Sequence, residues 1–222
     1  MVHFKLLFIL ILISVDQISN AVPRKLLLTI YYESNCPDSK SFILKQLQPA
    51  LYLLHEYLAL KFVPFGKSRS INYGDGGFEC QHGSAECLGN IVQDCSLHYL
   101  KAQSDKKKLA YVACEMATEA GSNGKFDCIE KAGLPNEGIE RCVSSGEGTM
   151  LQLESEYRTS VVRLNFVPTV TIDGVFDQQI QDSAQEDLIG TLCSILRVTP
   201  PCARHYNYIA LHNLLYKKNV MK

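Results

Sequence analysis

The sequence predicts an α/β domain with a helical insertion, on three observations. An apolar run, Leu26 to Tyr32, is followed by Cys36-Pro37, a segment of helical periodicity and a second apolar run at residues 58–65. That order is a parallel βαβ unit, expected to be right-handed. Residues 80–160 are rich in helix formers, lack a strand-like run and hold six of the nine cysteines. Sheet character returns at residues 167–172, followed by Asp173-Gly174 and a last amphipathic segment. The three together describe a sheet-containing domain whose helical insert, at about 80–160, is stapled by disulfides.

Each element has its own reason. The first strand, over 25–33, is an unbroken apolar run ended by Glu33, Ser34 and Asn35; such runs belong to central, doubly covered strands. Proline suits the first helical position because its missing N–H would have no partner there. A helix therefore starts at Pro37, with Cys36 as its N-cap. It runs to about residue 57, with Phe42, Leu44, Leu47, Leu51 and Leu54 roughly on one side. Pro49 lies inside it, removing one backbone bond and crowding the preceding turn, so a kink is expected between Lys45 and Pro49. Residues 58–65 alternate and read as the second strand, ended by Pro64 and Gly66. Residues 66–77 have no period and read as loop. Helices are expected over 85–101, 106–119, 126–132, 137–144 and 148–161, punctuated by 121–124 and Gly133-Leu134-Pro135. Strands three and four are expected over 169–172 and 175–177, joined by Asp173-Gly174, a strong two-residue hairpin signal. Ser183-Ala184-Gln185-Glu186 reads as a capping box that opens a helix over 184–197, stopped by Pro200-Pro201. Residues 204–222 form a basic, partly amphipathic tail.

The net charge is −1 over 222 residues, which argues against nucleic acid or an anionic membrane surface as a partner. Residues 1–21 carry His3 and Lys5, an apolar core from Leu6 to Ile13, and small Ser19 and Ala21 before Val22. This is the pattern of a secretory signal peptide, with cleavage expected after Ala21 and a domain over 22–203. No later stretch reaches the roughly 20 apolar residues that a spanning helix needs, so stable membrane insertion is not expected. A secreted chain with this many cysteines carries disulfides. None of the nine lies in the signal segment, so one is left over, either reactive or paired with another chain. Cys36 is the natural odd one. Cys80, Cys87, Cys95, Cys114, Cys128, Cys142, Cys193 and Cys202 then form four bridges. Spacing favours only Cys193–Cys202, which pins the chain past the prolines to the last core helix; the other pairings stay open. There is no Asn-X-Ser/Thr sequon, so Asn-linked glycans are not expected. Nothing in the sequence fixes an oligomeric state.

Cys36 sits where free amide N–H groups and the helix dipole favour negative charge, and hence the thiolate. Asp38 opposes this, because its carboxylate repels a thiolate nearby. The setting reads as a reactive nucleophile; the plainer alternative is a buried, inert thiol, common for unpaired cysteine. Strand, Cys-Pro, kinked helix, strand, long insert, proline before a strand, hairpin and helix together resemble a thioredoxin-like fold with a helical insertion. In that fold a cis-proline packs against the active-site cysteine, and Pro168, after Val167, stands in that place. A cis bond is rare enough to need a reason. Here it would free the Val167 backbone to pair edge to edge with a substrate peptide beside the sulfur. The resemblance thus makes Pro37 and Val167 substrate contacts. The plainer alternative for Pro168 is a trans proline starting an edge strand.

The most specific string is CQHGSAECLGNIVQDC, from Cys80 to Cys95. Its Cys80, Gln81, His82, Gly83, Glu86, Cys87, Asn90 and Cys95 resemble, residue for residue, the signature of the gamma-interferon-inducible lysosomal thiol reductase (GILT) family. The likeness extends over about residues 25–202. It implies reduction or exchange of disulfides in protein substrates, in an endolysosomal or extracellular setting. Thiolate attack would give a mixed disulfide. No cofactor is implied beyond an external thiol such as glutathione or cysteine. No metal is expected, since the signature cysteines lack the short spacings that zinc prefers and suit disulfide staples better. His82 and Glu86, four apart, suit either helix-start hydrogen bonds or the wall of the active cleft.

The sequence departs from the family pattern at one decisive place. The family motif is Cys-x-x-Cys, whereas this chain has Cys36-Pro37-Asp38-Ser39. Ser39 cannot attack a mixed disulfide, although its hydroxyl can donate a hydrogen bond to the Cys36 thiolate. Release then needs an outside thiol or a second substrate cysteine. The missing sequons remove the glycan that carries the lysosomal tag in the best-known members, so secretion is at least as fitting. Two functions follow. One is an oxidoreductase acting through Cys36 alone, supported by Ser39 and cis-Pro168. The other is a catalytically impaired, secreted relative that binds partners, for instance in immune defence.

Overall fold

The computed structural model describes residues 24–206. The expected signal peptide, and all but the first three residues of the basic tail, lie outside the described residues. Strand β1 (Leu26–Tyr32) is the centre of a three-stranded sheet of order β2-β1-β5. It runs parallel to β2 (Leu58–Pro64), from Leu26↔Leu58 to Tyr32↔Pro64. It runs antiparallel to β5 (Thr169–Ile172), from Leu28↔Ile172 to Tyr31↔Thr169. That position explains the unbroken apolar run: with strands on both sides and layers on both faces, Leu28 to Tyr32 are all buried.

A side chain takes up one edge amide on each outer strand of the sheet. The Leu60 N–H of β2 donates to Asp105 Oδ2 at 3.1 Å. On β5, the Val170 N–H donates to Gln181 Oε1 at 2.8 Å, and Gln181 Nε2 donates to Pro168 O at 3.1 Å. Open edge groups invite pairing with other chains, and Asp105 and Gln181 each occupy one of them.

The β1-to-β2 connection is α1 (Pro37–Phe42), a π-helical segment (Ile43–Leu47) and α2 (Gln48–Leu54). The irregularity expected near Pro49 takes the form of that π segment. The Gln48 N–H reaches back to Ile43 O, so the register widens just before a residue with no N–H to give. Residues 66–77, expected as loop, hold half of a small hairpin: β3 (Arg69–Ser70) pairs with β4 (Phe78–Glu79) across a 3-10 turn at Asn72–Gly74. Two-residue strands are too short to show an alternation in sequence.

The insert comprises α3 (Ser84–Tyr99), α4 (Asp105–Thr118), α5 (Asp127–Lys131), α6 (Asn136–Ser144) and α7 (Gly146–Val162), each close to its expected bounds. Cys80–Cys87, Cys95–Cys142 and Cys114–Cys128 staple it, and Cys193–Cys202 is the pair that spacing favours. Cys95, Cys128 and Cys142 are fully buried and share one core with Leu100, Val112 and Met116 of the insert and Leu28, Ile30 and Tyr32 of β1. The core therefore joins insert and sheet. Loop-closure entropy grows with loop length, so the bridge spanning 47 residues restrains the unfolded chain more than the one spanning 7. Cys95→Ala with Cys142→Ala is expected to cost about 4 kcal/mol, and Cys80→Ala with Cys87→Ala about 2 kcal/mol; urea unfolding of the two double variants checks the order.

Three expectations are corrected at the C-terminal end. The fourth strand shrinks to a single bridge, Ile172↔Val175. Asp173 and Gly174 do turn the chain, with φ of 49° and 81°, the paired positive values of a tight hairpin turn. Asp177, however, caps α8 (Gln178–Glu186), accepting from the Ile180 N–H at 2.9 Å. The helix expected over 184–197 is therefore two, α8 and α9 (Leu188–Ile195). Ser183 lies inside the first, and Asp187 caps the second by accepting from the Gly190 N–H at 2.9 Å. Asp side chains accept the orphan amides of a first turn, and these two outcompete the Ser183 box. Pro200 and Pro201 do not stop a helix either. Helix α9 ends at Ile195, and the prolines open a helical stretch over 200–206, where proline fits the first turn. Among the described residues no helix is long and apolar enough to cross a membrane.

Candidate active site

Strand β1 ends at Tyr32, and the chain turns through Glu33, Ser34 and Asn35 into Cys36. The Cys36 N–H donates to Glu33 O at 3.3 Å. Cys36 is the N-cap of α1, with φ −73° and ψ 122°, and its Sγ accepts the Ser39 N–H at 3.5 Å. The sulfur thus stands where a capping oxygen would, against the positive end of the helix. It is the free cysteine among the described residues, and it is 6% exposed. Pro37 and Asp38 are exposed, so water screens the repulsion between Asp38 and a thiolate. Ser39 is fully buried, and its hydroxyl accepts from the Glu33 N–H at 3.5 Å. The bond to the sulfur seen here comes from the Ser39 backbone N–H.

The signature string braces this turn. Asn90 Oδ1 accepts from the Ser34 N–H at 2.9 Å, and the Ser34 hydroxyl donates to Glu86 O at 3.0 Å. Asn90 Nδ2 reaches Ser68 Oγ at 3.5 Å. Asn35 Oδ1 accepts from Ser122 Oγ at 2.6 Å. Cys80–Cys87 closes the loop before α3, Gly83 enters the helix with φ of 86°, and Gln81 is exposed. Cys95, the last signature residue, anchors α3 to α6 through Cys142. Gly89 is the residue sequence reasoning passed over, although a glycine inside a helical pattern is itself a signal. A β-carbon there would lie 2.5 Å from Ser34 Oγ and 2.1 Å from Ser122 Oγ. Gly89→Ala is therefore expected to cost about 1–3 kcal/mol and to loosen the turn, read as faster alkylation of Cys36 at fixed pH.

A second unforeseen residue is Glu33, a carboxylate ending an apolar strand. It is fully buried, and its Oε1 accepts from the Lys67 N–H at 2.7 Å. Its Oε2 faces His82 Nδ1 at 3.4 Å. The same Nδ1 lies 2.6 Å from Oε2 of buried Glu86, whose Oε1 accepts from the His82 N–H at 3.0 Å. Burial holds the Glu33 carboxyl above the usual carboxylate range, and the nearby Glu86 pushes the same way.

On the other side of α1, the Val167–Pro168 peptide is cis. Pro168 precedes Thr169, the partner of Tyr31, and so lies at the sheet end from which the Cys36 turn departs. Pro168 is buried and Val167 half-buried; Gln181 and Gln185 both donate to Pro168 O at 3.1 Å. A groove of about 540 Å³ runs between the two segments, with Asp38, Ser41 and Lys45 on one side and Phe166, Val167 and Pro168 on the other. It begins two residues past Cys36 and is lined by both polar and apolar residues.

A family model described as gamma interferon inducible lysosomal thiol reductase (GILT) matches residues 27–132, from β1 through α5. GILT-like protein 1 of Drosophila melanogaster is 34% identical over 201 residues, covering 82% of this chain and 80% of that protein. The chain belongs to the GILT family. A gamma-interferon-inducible lysosomal thiol reductase-like protein of Anopheles gambiae is 32% identical over 205 residues, covering 86% and 85%. Among solved structures, DsbA of Chlamydia trachomatis superposes with a TM-score of 0.53 at 13% identity, over 82% of this chain and 91% of that one. At that identity the likeness is one of fold, and the fold is thioredoxin-like.

For this GILT-family chain the signature is mainly a scaffold. Asn90, Glu86 and Gly89 fix Ser34, and the cysteines fix α3, so the turn reaches Cys36 with the Glu33, Ser34 and Cys36 N–H groups each bonded. The thiol itself comes from another stretch of sequence, and the position three residues on is Ser39.

Proposed function

We propose that this GILT-family protein exchanges disulfides in protein substrates through the single thiol of Cys36. The observation that carries the reading is the one unpaired sulfur, capping α1 while all eight other cysteines are bridged. A substrate segment lies in the groove beside Pro37, with the Val167 backbone as its pairing edge and Pro168 below it. The Cys36 thiolate attacks one substrate sulfur; the substrate S–S bond breaks, a mixed disulfide forms, and the departing sulfur takes a proton. Ser39 offers no second thiol, so Cys36 is freed by an external thiol such as glutathione or cysteine, or by a second cysteine of the substrate. The first route reduces the substrate and the second rearranges it. No other cofactor is invoked. The working place is the secretory pathway, extracellular or endolysosomal, which agrees with the word lysosomal in the relatives' names. One observation favours the alternative of a binding protein: Cys36 is only 6% exposed, whereas reactive cysteines are partly open.

The experiment compares turnover of a fluorescent protein disulfide with and without glutathione. The expected result is turnover only with glutathione, and without it a covalent substrate adduct on Cys36, seen by mass spectrometry. Ser39→Cys is expected to release that adduct without glutathione. Absence of both turnover and adduct, with partner capture intact, favours the binding reading.

A further inference from the structure

We propose that Glu33, His82 and Glu86 form a binding site for one divalent cation of the zinc type, on the turn that leads to Cys36. Three donor atoms converge: Glu33 Oε2, His82 Nδ1 and Glu86 Oε2. The three groups lie within 4.8 Å of one another, with 3.4 Å from the imidazole to Glu33 and 2.6 Å to Glu86. A tetrahedral zinc with ligands at about 2.0–2.2 Å sets its donors roughly 3.3–3.5 Å apart. The first separation already fits, and the second opens when the proton between Nδ1 and Glu86 is replaced by the ion.

The surroundings are those of a prepared site. Each carboxylate has its other oxygen held by a backbone N–H, Glu33 by Lys67 at 2.7 Å and Glu86 by His82 at 3.0 Å. Such outer bonds orient metal ligands. Gly66 backs the first carboxylate so closely that a β-carbon there would lie 2.3 Å from Glu33 Cγ. Glu33 Oε2 is buried and has no hydrogen-bond partner, and both carboxylate side chains are fully shielded from water. Buried carboxylates are paired or coordinate a metal; here two of them share one imidazole. His82 is 35% exposed, which gives an ion its way in and leaves a side for water to complete the coordination. Two carboxylates and one imidazole suit zinc, whereas calcium takes six or more oxygens. The trio contains no cysteine and draws Glu33 from outside the signature, so the cysteine spacing that argues against a metal does not bear on it.

The test is calorimetric titration of zinc chloride into chelator-treated protein at pH 7.5. The expected result is one zinc per chain, with affinity at least ~10-fold weaker in His82→Ala and in Glu33→Gln. Binding is expected to persist in Cys36→Ser. His82 is partly exposed, so His82→Ala is the decisive variant, its fold checked by circular dichroism. No zinc uptake by the wild type, unchanged affinity in folded His82→Ala, or loss of binding in Cys36→Ser would each overturn the assignment. None of these outcomes depends on whether the thiol turns over.

Discussion

Cys36→Ser is expected to abolish disulfide exchange while leaving the fold intact. Turnover of a fluorescent disulfide in the presence of glutathione should drop at least ~10³-fold, toward the uncatalysed rate, as removal of a nucleophile does elsewhere. No other thiol can substitute, since the remaining eight cysteines are held in four bridges. Stability should not suffer. Serine is among the best N-cap residues, and its oxygen can take over the Ser39 N–H that the sulfur now accepts at 3.5 Å. Urea unfolding should therefore place the variant within about 1 kcal/mol of wild type. This separation of activity from stability makes the substitution informative: residual turnover would mean that the chemistry lies elsewhere. A biological effect that survives the loss of turnover would support the partner-binding reading.

The brace around the turn gives that experiment a sharper background. Ser34 is bonded through its N–H and its hydroxyl, and Asn35 through its side chain, by residues of α3 and by Ser122 beyond α4. A thiol at a helix start gains from the local dipole only while it stays in place. On the proposed mechanism, the signature acts by geometry, holding the turn that carries Cys36.

Much of this was legible in the sequence, and the parts that were not share a cause. The β1–Cys36–α1 passage could be read because an apolar run, a Cys-Pro step and a helical period are all local signals. The insert helices could be read from their helix formers and the punctuating glycines, and an irregularity before Pro49 from the proline itself. Helices α8 and α9 were misread because Asp177 and Asp187 compete with Ser183 for the same capping role, and sequence does not rank the outcome. The β3–β4 hairpin has strands too short for a period. Three of the bridges, and the roles of Glu33 and Gly89, depend on which distant residues meet. Gly89 matters only because Ser34 and Ser122 arrive opposite it, and Glu33 only because Gly66 and His82 enclose it.

The second large effect is on stability against pH. From about pH 8 down to about pH 4, the folded protein is expected to become more stable. Burial pushes the Asp94 carboxyl up to about 8, even though Ser155 Oγ and Gln152 Nε2 bond to it at 3.1 and 2.6 Å. Burial raises Glu33 and Glu115 as well. An unfolded aspartate titrates near ~3.9, so across this window the unfolded chain has released a proton that the folded chain keeps. The side binding more protons gains as pH falls. The stabilisation is fully present below the unfolded value and is lost as pH rises through the folded one. Between pH 7.5 and pH 5 the gain is on the order of 1–3 kcal/mol, read from urea midpoints at the two values. Asp94→Asn should flatten most of the slope and stabilise the protein at pH 7.5, because the amide is neutral in both states and folding no longer has to take up a proton. A wild type that weakens toward pH 5 would show that other groups dominate. The expected sign places the stability maximum on the acid side of neutrality.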